Sequence, residues 1–279
     1  MALSIHTNYS SLVTQTNLNK TNNALGNNQQ RLGTGLRINS AADDAAGLQI
    51  ATRLNAQSRG MEVAIRNTGD SISLLQTAEG AFNEMTDIMQ RMKDLATQAA
   101  NDTNSDDDRT ALQAEYDELG KELTNIIDNT KYAGEALFAA GGKFTASMTF
   151  QIGASSSETL ALDASGGLTD VTDAITTIKA ETLDDAANSG SAIDELETAL
   201  DAVGTMRATL GANINRLNHT ANNLANMKDN TDMSKGRIMD ADFAKESANM
   251  SKNSMLMQSG ISMLKQAGQM PGMVMSLLG

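Results

Sequence analysis

Cysteine is absent from the 279 residues, and proline occurs once, at Pro271. The lack of cysteine excludes disulfides, thiol nucleophiles and cysteine-ligated metals. The near-absence of proline removes most of the slow isomerisation that limits refolding. Such a chain can be unfolded and refolded without a slow covalent or isomerisation step.

Aromatic residues make up only 3% of the sequence, and tryptophan is absent. Compact enzymes of this size use aromatic side chains to fill the core and to line the substrate pocket. The apolar residues here are Ala, Leu, Ile and Met, which have high helix propensity. The composition therefore favours a helical chain and argues against an enzyme.

Long apolar runs are also missing, and no stretch approaches the roughly 18 apolar residues that a membrane span needs. The first 28 residues lack the basic region, apolar block and cleavage site of a secretory signal peptide. We therefore expect the chain to stay in the cytoplasm or to leave the cell by a route that reads another signal.

Charge is distributed unevenly along the chain, whose net charge is −13. Residues 1–42 contain three basic residues and no acidic one, whereas residues 100–201 contain 21 acidic and 5 basic residues. An acidic middle suits a solvated surface, and nearly neutral ends suit close packing against other chains. Since no basic patch with stacking aromatics exists, we expect no nucleic-acid binding.

Both ends of the chain carry weak seven-residue repeats of apolar residues. The predicted seam consists of Leu18, Leu25, Leu32, Phe243, Met250, Met257, Ile261 and Leu264. Because Ser, Thr, Asn and Gly fill the positions between them, neither helix would be stable alone. We therefore expect both ends to be disordered in the isolated chain and to become helical on association.

Long helices are predicted between these ends. Ser40 is the predicted N-cap of a helix that continues to about Ala100, and Ser105 is the predicted N-cap of a second helix. A third helix is expected to begin near Ser191. Apolar residues at three- and four-residue spacing predict the core of these helices: Leu75, Phe82, Met92, Leu200, Leu210 and Leu217.

The middle of the chain has a different pattern. Apolar side chains alternate between Lys143 and Ile152, and together with residues 159–162 they predict a small β-hairpin region. Residues 163–190 are rich in Gly, Ser, Thr, Asp and Ala, which indicates a surface insertion. The predicted fold is thus mainly α, with long helices from both termini paired in coiled-coil-like bundles and a small β-hairpin region in the middle.

No residue pattern predicts catalysis, a cofactor or a metal site. The acidic run from Asp102 to Asp108 lacks the Gly and Glu of a calcium loop and suits a helix N-terminus better. His6 and His219 lie far apart and have no second ligand at metal-binding spacing. Seven methionines from Met250 onward suit adaptable packing better than copper or membrane binding. A monomeric helical binding module remains an alternative, and it would need ends that are stable in isolation.

Several long motifs give the chain a family resemblance. The run from Gln30 to Leu48 closely resembles the signature of bacterial flagellins. Ile72 to Asn83, Met89 to Gln98 and Arg237 to Ser251 are similar to further stretches of that family, and Gln258 to Leu278 is similar to its closing helix. The motifs occur in the family's order and cover about residues 1–140 and 191–279.

The resemblance implies a structural subunit that assembles with copies of itself into the flagellar filament used for swimming. It implies an inner coiled-coil domain at residues 1–33 and 237–279 and a connecting segment at 34–46. A second layer of helices is expected at 47–140 and 191–236, with the β-hairpin and a variable surface insertion at 141–190. The seam residues named above would then be the inner assembly seam, and the core residues would belong to the second layer.

The resemblance also implies location and partners. The subunit would be extracellular, exported through the flagellar type III channel without a cleaved signal peptide. An export chaperone and the cap and junction proteins would be its partners. Arg91, Leu95 and Glu115 match positions of the patch that a host innate receptor reads in flagellins. The alternative function is a hook–filament junction protein of the same family.

Overall fold

The computed structural model describes residues 7–278, and residues 270, 271 and 273–278 by their backbone alone. Six helices contain most of this range, and two short antiparallel hairpins lie between the third and fourth of them. The elements are α1 Tyr9–Thr34, α2 Ala45–Ala99, α3 Asp106–Asn129, β1 Lys131–Tyr132, β2 Glu135–Ala136, a 3-10 helix Lys143–Thr145, β3 Met148–Gln151, β4 Thr159–Leu162, α4 Ser165–Ala180, α5 Ala186–Met239 and α6 Phe243–Leu278. The predicted mainly α fold with a central β-hairpin region is confirmed.

The ends of α1 and α3 follow from local side-chain chemistry. The Asn8 side chain accepts a hydrogen bond from the Ser11 N–H, and Gly35, with φ of 72°, ends α1 in the left-handed region. Ser105 caps α3 as predicted, because its hydroxyl and the Asp108 carboxylate each bond the other residue's backbone N–H.

The start of α2 differs from the prediction. Asp44, not Ser40, precedes the helix and accepts a hydrogen bond from the Gly47 N–H at 2.8 Å. Ser40 lies in a turn, where its N–H and hydroxyl both donate to the Asp43 carboxylate. Asp43 thus holds the turn together, which leaves Asp44 as the cap.

The β region contains the predicted hairpin and one that the sequence analysis missed. Strand β3 pairs antiparallel with β4, as expected from the alternating apolar residues. The missed hairpin joins β1 to β2 through Ala133 and Gly134, both with positive φ. Its strands have two residues each, which is too short for an alternating pattern to be visible.

Residues 163–190, which were expected to form a surface insertion, are helical over much of their length. Residues 165–180 form α4, which buries the apolar face formed by Leu168, Val171, Ile175 and Ile178. These four residues lie at three- and four-residue spacing, so the helical signal was present among the polar residues. The following helix, α5, also begins earlier than predicted, at Ala186.

The chain divides into two compact units, one of residues 57–229 and one of residues 1–56 with 230–279. Both divisions fall inside long helices, α2 and α5, and neither coincides with the expected boundaries at 33/34 and 236/237. In the 57–229 unit, side chains from α2, α3, α4, α5 and the hairpins share one apolar core. In the other unit, α1 packs along α6.

Candidate functional site

Helices α1 and α6 form an antiparallel pair with a coiled-coil spacing. The side chains that face the partner on α1 lie at positions 11, 14, 18, 21, 25, 28 and 32, and those on α6 lie at 246, 250, 253, 257, 260, 264 and 267. Steps of three and four residues keep one stripe on a single face of a helix. Two contacts show that the helices run antiparallel: Arg31, near the end of α1, contacts Glu246, near the start of α6, and Asn8, before α1, contacts Ala267.

Six of the eight predicted seam residues lie in this stripe. They are half-buried in the single chain: Leu18, Leu25, Leu32, Met250, Met257 and Leu264. Phe243 and Ile261 are exposed, the first at the start of α6 and the second one position beside the stripe. The structure therefore brings six of these side chains together and leaves two on the surface.

Both ends of the chain are helical within one subunit, which differs from the expectation of disordered ends. Each helix supplies the other with a partner of matching period. The pair is nevertheless thinly packed. Among the described side chains of α1 and α6, the buried ones are Asn28, Glu246 and Ala267.

The pair is polar near the end where α1 ends and α6 begins, which apolar periodicity could not have revealed. Asn28 and Glu246 are each 7% exposed. Arg31 Nη1 lies 3.2 Å from Glu246 Oε1. With the Asn28 amide oriented to satisfy both groups, its nitrogen donates to Ala24 O at 2.8 Å and its oxygen accepts from Met250 N at 3.1 Å. The available signal was that Asn28 and Glu246 lie in the same three- and four-residue series as the leucines and methionines of the stripe.

The segment after α1 is hydrogen-bonded to the segment before α6. Leu36 and Asp240 form an isolated antiparallel bridge, with hydrogen bonds from Arg37 N to Met239 O at 2.6 Å and from Ala241 N to Gly35 O at 2.9 Å. Beyond it, hydrogen bonds from the Asn39 and Ser40 N–H groups to the Asp43 carboxylate lower the pKa of Asp43. The connecting segment is therefore an ordered turn.

An apolar surface remains uncovered on the pair. Its members are large side chains that the described residues leave exposed: Tyr9, Leu12, Val13, Phe243, Met255, Leu256, Ile261 and Met263. Leu256 and Met263 are seven residues apart and so lie on one face of α6. So many exposed large apolar side chains on one helix pair indicate contact with a partner.

The predicted second-layer residues lie in the core of the 57–229 unit. Five are fully buried, namely Leu75, Phe82, Met92, Leu210 and Leu217, while Leu200 is partly buried and packs against them. Phe82 also packs against Phe138, with ring centroids 4.8 Å apart. These residues are therefore packed inside the shared apolar core.

The predicted receptor patch is brought together only in part. Arg91 donates to Glu115 Oε1 through Nε at 3.0 Å and Nη2 at 2.7 Å, and both side chains are about half exposed. Leu95, one helical turn from Arg91 on α2, is 1% exposed and belongs to the apolar core. The accessible part of the predicted patch is therefore the Arg91–Glu115 pair.

The described part of the chain, residues 7–278, has no group of three or more potential metal ligands positioned around one point. His6 lies outside the described residues. No described helix combines the length and apolar character required to cross a membrane.

Comparison with known proteins decides the family. The pattern described as the bacterial flagellin N-terminal helical region matches residues 5–143, and the bacterial flagellin C-terminal helical region matches residues 193–278. The chain belongs to the bacterial flagellins. Flagellin A of Vibrio anguillarum is 36% identical over the whole of both chains. The flagellin of Halalkalibacterium halodurans is 41% identical, covering 94% of this chain and 93% of its own.

A solved structure agrees with this assignment. The crystal structure of Bacillus cereus flagellin shares 35% identity and a TM-score of 0.50, covering 57% of this chain and 88% of that one. This flagellin is therefore a structural subunit of the extracellular bacterial filament and not an enzyme. Since the relatives that match from end to end are flagellins, the hook–filament junction alternative is not favoured.

Proposed function

We propose that the α1–α6 pair is the element through which this flagellin joins neighbouring subunits. The observation that carries the proposal is the mismatch between what the pair buries and what it exposes. Its one buried apolar side chain is Ala267 among those described, yet eight large apolar side chains are on its surface. A second copy of the same pair would cover that surface, as in a bundle of amphipathic helices.

The charge distribution supports the same contact. The unit that contains the pair, residues 1–56 and 230–279, has 9 basic and 6 acidic residues. Residues 57–229 have 12 basic and 28 acidic residues. Copies of the first unit can approach each other with little repulsion, whereas copies of the second repel at short range. Close packing in the filament would therefore be concentrated at the pair.

We propose further that folding of the pair is completed by assembly. Ordering a residue costs about 1–2 kcal/mol of backbone entropy, and isolated helices of weak amphipathicity are marginal in water. The α1–α6 contact alone buries too little to offset this for two long helices. In the isolated subunit the pair would open and close, and neighbouring copies would close it.

The exposed apolar face should decide polymerisation. Replacing Leu256 and Met263 by Gln is expected to raise the monomer concentration needed for growth on filament seeds by about tenfold or more, because both are 49% or more exposed and would be buried on assembly. Seeded growth followed by electron microscopy measures this.

The matched control is the double variant Val63→Gln with Met227→Gln, two exposed apolar residues of the other unit. This control should assemble close to the wild-type level. Equal loss of assembly in the two double variants would contradict the proposed role of the pair.

Further partners remain proposals. An export chaperone and the cap and junction proteins of the flagellum would find exposed apolar side chains on α1 and α6 during type III export and at the ends of the filament. Export without a cleaved signal peptide would suit a chain that has no disulfide to form.

A host innate receptor could contact the exposed Arg91–Glu115 pair. We expect Arg91→Ala to reduce receptor signalling, because the guanidinium is the group available for a charged hydrogen bond. Lys121→Ala, which removes another exposed ion pair on α3, is the control. Equal signalling by wild type and Arg91→Ala would count against recognition of this patch.

A further inference from the structure

The apolar seam of the α1–α6 pair is chemically repetitive. Leu18, Leu25 and Leu32 recur at seven-residue spacing on α1, and methionine and leucine recur at the same spacing on α6. In the observed register Leu18 lies against Gly260, which stands between Met257 and Leu264 in the stripe of α6. Sliding one helix by seven residues would again set a leucine between methionine or leucine residues of that stripe. Apolar contacts alone therefore do not determine the register of the pair.

Three polar side chains interrupt this repetition near the end of the pair where α1 ends and α6 begins: Asn28, Arg31 and Glu246. Asn28 and Glu246 are buried, and Arg31 is partly exposed. Seven-residue steps from Asn28 lead to Thr21 and Gly35, and a step from Glu246 leads to Asn253, so no second copy of the trio exists along the helices. The trio is therefore the part of the interface that distinguishes one register from the next.

We propose that Asn28, Arg31 and Glu246 select the antiparallel register in which α1 and α6 pair. A slip of seven residues in one direction would set Arg31 against Asn253, and in the other direction it would set Glu246 against Ala24. Either slip separates the Glu246 carboxylate from Arg31. The second slip would also set the unpaired carboxylate inside the pair against Ala24, which is strongly unfavourable. Only the consequence for the filament rests on the proposed role of the pair in assembly.

The Glu246 carboxylate has few contacts, so the choice of register depends strongly on each of them. Its Oε2 is buried and has no hydrogen-bond partner among the described residues, so Arg31, through Oε1, is its sole ionic contact there. Asn28 adds a bond to the Met250 N–H, on the next turn of α6. A carboxylate held by so few groups has little to replace them after a slip.

Contacts elsewhere agree with this register. A Cβ atom on Gly260 would lie 2.7 Å from Leu18 Cδ1, so the glycine admits the leucine side chain closely. At the far end, Asn8 Nδ2 donates to Ala267 O at 2.6 Å. Below the trio, the Leu36–Asp240 bridge continues the same alignment with two backbone hydrogen bonds. The trio lies one turn above that bridge.

Cysteine cross-linking can measure the register, because the native chain has no cysteine. The double variant Leu18→Cys with Gly260→Cys reports the observed register. Leu18→Cys with Asn253→Cys, and Leu18→Cys with Ala267→Cys, report slips of seven residues in the two directions. Intrachain cross-links are read after mild oxidation, in filaments and in the unpolymerised full chain.

In the otherwise native chain we expect the two double variants that report slips to cross-link at least about tenfold less than Leu18→Cys with Gly260→Cys does. Adding Asn28→Leu with Glu246→Leu replaces two buried polar residues with apolar ones, which a helix pair accepts without unfolding. This change should raise the cross-links that report slips about tenfold. The charge swap Arg31→Glu with Glu246→Arg, made in place of these two substitutions, should keep the native cross-linking pattern.

Thr14→Leu with Thr21→Leu is the matched control, because both threonines lie in the seam but outside the trio. It should leave the pattern unchanged. An unaltered pattern in Asn28→Leu with Glu246→Leu would overturn the proposal. Reading the unpolymerised chain separates this result from a failure of assembly, which would instead contradict the proposed function.

Discussion

Deletion of residues 1–34 is expected to abolish filament growth while leaving a soluble, folded subunit. The deletion removes α1 entirely, so α6 loses the partner for its stripe and half of the proposed assembly surface. A loss of about 3 kcal/mol of association free energy per subunit raises the critical concentration more than about 100-fold. Seeded growth under an electron microscope measures the effect.

The same deletion should leave the other unit intact. Its core is built from residues 57–229 and includes no side chain of α1. Circular dichroism of the truncated chain should show cooperative thermal unfolding at nearly the full-length temperature. Filaments formed by the truncated chain would contradict the account, and so would loss of the cooperative transition.

Phe82→Ala is expected to have the largest effect on the folded subunit. Phe82 is fully buried and packs against Phe138 in the centre of the 57–229 core. Truncating such a side chain leaves a cavity and lowers the free energy of unfolding by about 3–5 kcal/mol. Urea unfolding of the unpolymerised chain, followed by circular dichroism, measures this loss.

Val63→Ala is the matched control on the same helix, since its side chain is exposed. It should lower the free energy of unfolding by about 0.5 kcal/mol or less. Similar losses for Phe82→Ala and Val63→Ala would show that the shared apolar core does not carry the stability of the subunit.

The long helices and their core were predictable because their signals are strong and local. The acidic residues after Ser105 gave the start of α3, and the apolar spacing around Phe82 gave the buried face of α2. Helix α4 was missed because its four buried residues are surrounded by Gly, Thr and Asp. In that segment, composition was given more weight than periodicity, which was the better guide.

The assembly element was predictable in outline and not in detail. Leucine and methionine repeats located the stripe on α1 and α6, but two of its three buried positions are Asn28 and Glu246, which a search for apolar residues passes over. Leu95 shows the converse limit. Its match to a family position gave no information on burial, which depends on packing between helices.

The cap of α2 shows how neighbouring polar residues compete. Ser40, Asp43 and Asp44 are all suitable caps by residue type. Asp43 is engaged by the turn at Asn39 and Ser40, and this leaves Asp44 to accept from Gly47. The sequence contained the right residue types, whereas the choice among them depended on the path of the chain from α1.

Amide hydrogen exchange of the unpolymerised subunit and of the filament tests most directly whether neighbours complete the terminal helices. Regions with few buried apolar contacts open at low free-energy cost and exchange quickly. The account predicts weak protection of α1 and α6 in the monomer, strong protection of both in the filament, and strong protection of the 57–229 core in each. Firm protection of α1 and α6 in the monomer, equal to that in the filament, would contradict it.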